Sequence, residues 1–183
     1  MLKASLPPLQ KAIIKCLACK GPQTRNQVKE NLGKDYHAIL HSFNTLIKKE
    51  LIREVGTKKH RGRNFSVYWL TIPLGIAYAF FYNISADILK THALSIAKNE
   101  EDKKIADFVF EMAVAFGPMA FLESMELSKL EQEGRLTTKT LILKSIPLKD
   151  VDFARVSEVL KKYPEAKSVF KKGLKNMSKM LGE

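Results

Sequence analysis

Within its first fifty residues the chain stops and restarts a helix twice, and that punctuation leaves few folds open. A first helix is expected over Pro8–Lys20, with Leu9, Ala12, Ile13 and Cys16 on one face and Gly21-Pro22 as its stop. Thr24-Arg25-Asn26-Gln27 then reads as a capping box, in which the Thr24 hydroxyl and the Gln27 amide satisfy reciprocal backbone donors. The helix it opens is short, passing Val28 and closing at Leu32-Gly33. Asp35 is the expected N-cap of a third helix over residues 35–50. With only 9 glycines and 7 prolines in 183 residues, the chain as a whole should be largely helical. Its 45% apolar and 27% charged content belongs to a globular protein rather than a disordered one.

The third helix has two faces. At 100° per residue, Tyr36, Ile39, Leu40, Phe43, Leu46 and Ile47 gather on one side. His37, Ala38, His41, Asn44, Thr45 and Lys48 gather on the other. Hydrogen-bonding groups of moderate length, a methyl and a terminal cation suit base edges and phosphates in a major groove. A solvated face with no task has a similar look, so this face needs support from its neighbours.

Support follows directly in the chain. Leu51-Ile52-Arg53-Glu54-Val55 reads as a short strand, and Phe65-Ser66-Val67-Tyr68-Trp69-Leu70-Thr71 as a second, rich in β-branched and aromatic residues. Between them lies a glycine-bounded tip, residues 56–64, that carries Lys58, Lys59, His60, Arg61 and Arg63 and no acid. Uniform positive charge at a hairpin tip repels itself unless an anion is near, and a phosphate partner accounts for it economically.

Charge along the chain points the same way. The net charge is +12, and it is uneven. Residues 1–71 hold 14 Lys/Arg against 4 Asp/Glu, residues 72–160 hold 10 against 13, and residues 161–183 hold 7 against 2. A generally basic composition would spread the charge evenly. A small basic module on a near-neutral body is the footprint of a polyanion binder.

The succession of three helices, strand, basic hairpin and strand resembles the winged helix-turn-helix DNA-binding domain of prokaryotic transcription regulators, in the broad MarR, PadR and ArsR-like group. Residues 24–32 and 35–49, the stretch Leu46-Ile47-Lys48-Lys49-Glu50-Leu51-Ile52, the wing 57–64 and Tyr68-Trp69-Leu70-Thr71 carry the likeness, which covers residues 8–75. In that group a Gly usually precedes the Leu-Ile pair, where this chain has Glu50. The last strand often ends Leu-Thr-x-x-Gly, whereas Gly75 comes one residue late here. The resemblance implies that the third helix enters the major groove while the wing lies along the backbone or minor groove. Groove contacts are then expected from His37, Ala38, His41, Asn44, Thr45 and Lys48. Phosphate contacts are expected from Arg25, Lys34, Tyr36, Lys58, Lys59, His60, Arg61 and Arg63.

The expected fold class is mainly α with a small antiparallel β wing. A winged helix-turn-helix over residues 1–73 precedes an all-helical body over residues 74–183. Pro73 opens a long helix over residues 76–97, too apolar around its circumference for a surface helix. Residues 101–133 form a further helical tract, interrupted at Gly117-Pro118 and ended by Gly134, with Ile105, Phe108, Met112 and Phe116 on one stripe. Residues 136–148 are ambiguous between strand and helix. Asp152 caps a helix with Phe153, Val156, Val159/Leu160 and Tyr163 inward, and Pro164 opens a last helix with a lysine-rich outer face. The two most apolar stretches, 72–89 and 105–122, contain acids and a Pro or Gly-Pro, so no membrane span is expected.

Other chemistry is thin. Cys16-x-x-Cys19 with His37-x-x-x-His41 superficially matches a zinc pattern, but the 17-residue separation is long and the cysteines sit on an amphipathic helix, so core packing is the expected role. No phosphate-cradling glycine loop, metalloprotease helix motif or nucleophile elbow occurs, so neither an enzyme nor a cofactor is expected. His92 on its apolar helix reads as a core or interface histidine. Phe80, Phe81, Tyr82, Phe108, Phe110, Met112, Phe116, Met119 and Phe121 suit either a pocket for a small apolar effector or a dimer interface, and the interface is preferred. Two cysteines and the absence of a signal-like apolar run at the N-terminus fit a reducing cytoplasm. The function expected is a sequence-specific regulator that binds double-stranded DNA as a homodimer through its C-terminal helices. The alternatives are a non-sequence-specific, chromatin-like DNA or RNA binder, or a winged-helix protein-interaction module.

Overall fold

The structure, a computed structural model, describes residues 6–135 and 151–165. In chain order the elements are α1 (Pro8–Lys20), β1 (Gln23–Thr24), α2 (Arg25–Leu32), α3 (Tyr36–Lys48), β2 (Ile52–His60), β3 (Arg63–Leu70), α4 (Leu74–Phe81), α5 (Ala86–Ile96), α6 (Glu100–Gln132) and α7 (Phe153–Lys162). The molecule is mainly helical with one small three-stranded antiparallel sheet. Two compact units divide it, Ala4–Val109 and a second from Phe110 onward. The first therefore reaches well past the boundary expected at residue 73.

In the first unit α1 is central, touching α2, α3, α4, α5 and β3 and burying Ile13, Ile14, Cys16, Leu17 and Ala18. The capping box of α2 is present: the Gln27 N–H donates to Thr24 Oγ1 at 3.3 Å, and the Thr24 N–H to Gln27 Oε1 at 2.9 Å. Asp35 caps α3, accepting from the N–H groups of His37 (2.8 Å) and Ala38 (3.3 Å). Those two donors hold the Asp35 carboxyl below its ordinary value.

Helix α3 ends at Lys48, short of the expected Glu50, for a clear geometric reason. Glu50 sits in the left-handed region at φ 57°. Its N–H donates to the Ile47 carbonyl at 2.8 Å and the Leu51 N–H to the Leu46 carbonyl at 2.9 Å, the two bonds of a Schellman motif. The position where the resembled pattern has Gly is thus one that adopts the left-handed conformation here.

The sheet runs in the order β1-β3-β2. β2 and β3 pair from Ile52↔Leu70 to His60↔Arg63, with an irregularity between Glu54 and Gly56. Strand pairing thus extends through most of the region expected to be a loop. Only Arg61 (φ 47°) and Gly62 (φ 75°) turn the chain, and positive φ at both positions is what a tight two-residue hairpin needs. β1, which the sequence reading missed, adds Gln23↔Tyr68 and Thr24↔Val67 on the other side of β3.

The single helix expected over residues 76–97 is two. Asn83 adopts φ 64°, with the Asn83 N–H on the Phe80 carbonyl (2.9 Å) and the Ile84 N–H on the Ala79 carbonyl (3.1 Å). Ser85 then caps α5 by accepting from the Asp87 N–H at 3.3 Å. Between the sheet and α4, Thr71 Oγ1 donates to the Glu50 carbonyl (2.5 Å) and accepts from the Gly75 N–H (3.0 Å). A Cβ at Gly75 would overlap the Leu51 carbonyl oxygen. The late glycine of the wing-strand pattern is therefore a packing requirement.

Helix α6 breaks where expected, at Gly117 (φ 73°) ahead of Pro118. By length and composition it is the one described helix apolar enough to cross a bilayer, and 56% of its most apolar stretch is buried inside the protein. The expected stripe is only partly right. Met112 is buried as expected, but Ile105 is 50% exposed, Phe108 and Phe116 are half-buried, and Ala106, Val109, Phe110 and Ala113 are buried instead. In the second unit the Asp152 N–H donates to the Ala115 carbonyl (2.8 Å) and Asp152 Oδ1 caps α7. Val156, Val159 and Tyr163 are buried, but Phe153, expected inward, is 62% exposed because it precedes the buried row by a turn at the helix start. The ambiguous stretch 136–148 and nearly all of the last helix lie outside the described residues.

At position 50 glycine should be more stabilising than alanine by about 1 kcal/mol, the reverse of their helical order. Thermal unfolding of Glu50→Gly against Glu50→Ala tests this, and equal midpoints would contradict a left-handed Glu50. Gly75→Ala should lower stability by about 1–3 kcal/mol through overpacking on Leu51.

Candidate nucleic-acid interface

The core-facing side of α3 fixes what its other side shows. Ile39, Phe43 and Leu46 are fully buried, and Ser42 joins them, a small polar residue where the apolar pattern placed none. His37, Ala38, His41, Asn44 and Lys48 are all exposed, and Thr45 is half-buried. Tyr36, read from periodicity as part of the apolar side, is 38% exposed and meets the His37 ring edge-on at 6.3 Å. Among the described residues the side chains of His41, Asn44 and Lys48 have no hydrogen-bond or ion-pair partner. The Thr45 hydroxyl is the exception on this face, donating to the His41 carbonyl at 3.0 Å.

The hairpin supplies the second half of the surface. Lys58, Lys59, His60, Arg61 and Arg63 are all exposed, as is Lys34 ahead of α3. None of Lys58, Lys59, Arg61 and Arg63 is paired with a carboxylate among the described residues. The pairs Lys59↔Asn64 and His60↔Arg63 bring cationic side chains from both strands close to the turn. Lys58, His60 and Phe65 also line a cleft of about 300 Å³ with Thr24, Asn26, Gln27 and Glu30, at the first turn of α2.

Arg25 is placed differently from the other cations. Its guanidinium lies 4.8 Å from the Tyr68 ring centroid and 5.8 Å from that of Phe43, rings that themselves meet edge-on at 5.4 Å. Cation–π contact holds it half-buried against the sheet, and its Nε is buried without a hydrogen-bond partner. Nothing in the sequence signals this stack, because it depends on β1 pairing Thr24 beside Val67, which seats the first residue of α2 over β3.

The cysteines belong to the core of the unit. Cys16 is buried, its thiol donates to Gln23 Oε1 at 3.8 Å, and burial pushes its pKa up, away from a reactive thiolate. Cys19 is exposed. Among the described residues no group of three or more His, Cys, Asp or Glu is placed to hold a metal ion. His92 lies between Trp69, edge-on at 6.3 Å, and the Cys19 carbonyl, 3.3 Å from Nε2. Gly21 makes room for it, since a Cβ there would stand 2.7 Å from His92 Nδ1.

The aromatic and methionine residues considered for an effector pocket do not line either cleft seen here. Tyr82, Phe110, Met112 and Phe121 are buried, and Phe80, Phe81, Phe108, Phe116 and Met119 are half-buried. The larger cleft, about 520 Å³, is polar and runs along α7, lined by Glu111, Asp152, Arg155, Glu158 and Lys162 among others. Lys162 is already paired with Glu111 there, which raises its pKa to about 12.

Unpaired like charges at the hairpin should oppose folding. Replacing Lys58, Lys59 and Arg63 by Gln should raise the thermal midpoint at low salt, with the gain disappearing near about 0.5 M salt as screening takes over. A destabilised variant would show that these cations hold the fold together. No protein-family model matches the chain, and no curated protein matches it.

Proposed function

We propose that the first unit is a winged helix-turn-helix and that the protein is a sequence-specific, DNA-binding transcription regulator. In this reading α3 enters the major groove of double-stranded DNA, and the β2–β3 hairpin is the wing on the backbone or minor groove. The observation that carries it is the pairing of two surfaces in one unit. The exposed His41, Asn44 and Lys48 of α3, unpartnered among the described residues, accompany a hairpin whose exposed cations have no carboxylate partner there. Phosphates would neutralise the hairpin and orient the protein, and the α3 side chains would read base edges.

The protein acts as a homodimer in this proposal, through helices that follow the sheet. Two copies of α3 would then meet an inverted repeat with half-sites ~10 bp apart, centre to centre. Ile88 and Ile105 in the first unit, and Val114 and Phe153 in the second, are large apolar side chains left exposed in one chain. The proposal contains no catalytic step and no cofactor, and it places the protein in the cytoplasm with its DNA.

Division of labour between the two surfaces is the test. Replacing Lys58, Lys59, Arg61 and Arg63 by Gln should weaken binding to all duplexes by a similar factor and flatten the salt dependence. His41→Ala should instead change the ranking among duplexes. Competition binding on a panel of duplexes reads both. A hairpin variant that reorders the panel, beside a His41 variant that does not, would reverse the assigned roles.

A further inference from the structure

We infer that α3 reads an A·T-containing half-site, with Asn44 as the adenine reader and the methyl groups of Thr45 and Ala38 as thymine readers. The inference rests on the DNA-binding reading above and narrows it to a class of sequence. Asn44 presents the one carboxamide on the exposed face of α3, and no residue described here hydrogen-bonds it. A carboxamide has a donor and an acceptor side by side, which matches the N7 acceptor and N6 donor that adenine shows in the major groove. The helix itself carries no acid to accept from cytosine N4: the carboxylates flanking it in sequence are Asp35, engaged as the N-cap, and Glu50, beyond the C-cap.

Thr45 supplies the second element. Its hydroxyl proton is spent on the His41 carbonyl at 3.0 Å, so the hydroxyl cannot donate to a base acceptor, and the Cγ2 methyl is the group we assign to the base edge. Thr45 follows Asn44 directly, about 100° further around the helix. One edge of an A·T pair sets the adenine N7/N6 pattern beside the thymine C5 methyl, so an amide next to a methyl suits that edge. Ala38 lies seven residues before Thr45, nearly two full turns, and falls on the same line of the helix. The two methyls are then about 10 Å apart along the axis, close to three base-pair steps. The half-site should therefore hold two thymine methyls about three base pairs apart, with an adenine read beside the one nearer the C-terminal end of α3.

Selection of the full-length chain against a randomised duplex pool supplies the probe. The selected duplex is then resynthesised with deoxyuridine at each thymine, which removes only the C5 methyl. Deoxyuridine at the Thr45-facing position should weaken wild-type binding about fourfold, the worth of one buried methyl. Thr45→Ser keeps the hydroxyl on the His41 carbonyl and removes only the protein methyl, so at that position it should bind the thymine and deoxyuridine duplexes equally while staying sensitive at the Ala38-facing one. Asn44→Ala should lose about 5- to 150-fold of its discrimination for adenine at one position. Selection of a duplex whose affinity ignores deoxyuridine, or a Thr45→Ser variant as sensitive to it as wild type, would overturn the inference and leave DNA binding intact. Failure to retain any duplex would overturn both.

Discussion

The C-terminal half of α1 is where the first unit is held together. The Leu17 carbonyl accepts the Gly21 N–H at 3.0 Å and takes a second bond from the indole N–H of the fully buried Trp69, also at 3.0 Å. His92 packs edge-on against the same indole and reaches the Cys19 carbonyl nearby. β3 and α5 are thus fastened to the same helix end. Because β3 is the middle strand, its attachment to α1 also fixes β1 and the long partner β2.

From that fixed strand, a second set of contacts places α3. Thr71, just past β3, bonds the Glu50 carbonyl with its hydroxyl and the Leu51 carbonyl with its N–H at 3.1 Å. Phe43 on the core side of α3 meets Tyr68 of β3 edge-on, and Arg25 covers both rings. Both ends of the proposed interaction surface, the exposed face of α3 and the hairpin, are therefore anchored to the same strand. A surface that reads spaced groups on a duplex requires such rigidity between its parts.

Much of this was legible in the sequence because it is written in local chemistry. The capping box at Thr24, the N-cap at Asp35, the stops at Gly21, Gly33 and Gly134 and the break at Gly117-Pro118 all depend on residues within a turn of each other. What was missed depends on partners distant in the chain. β1 is two residues long and exists only because β3 lies beside it. Arg25 looked like a free cation until Tyr68 and Phe43 came beneath it. Asn83 broke an apolar helix through a left-handed turn that its composition hid, and Ile105 faced solvent where a neighbouring stripe served the core better. The exposed face of α3 was readable residue by residue, since burying Ile39, Phe43 and Leu46 leaves the opposite side outward.

The central claim is that the basic unit is a surface for duplex DNA, and its electrostatics give the most direct test. Fluorescence anisotropy of the full chain on a labelled random-sequence duplex, repeated over a range of salt, measures the phosphate contacts without assuming any sequence. With about eight phosphate contacts per dimer, affinity should fall ~10³–10⁵-fold between about 50 and 200 mM salt, linearly on logarithmic axes. No binding at the lowest salt, or an affinity indifferent to salt, would contradict the account.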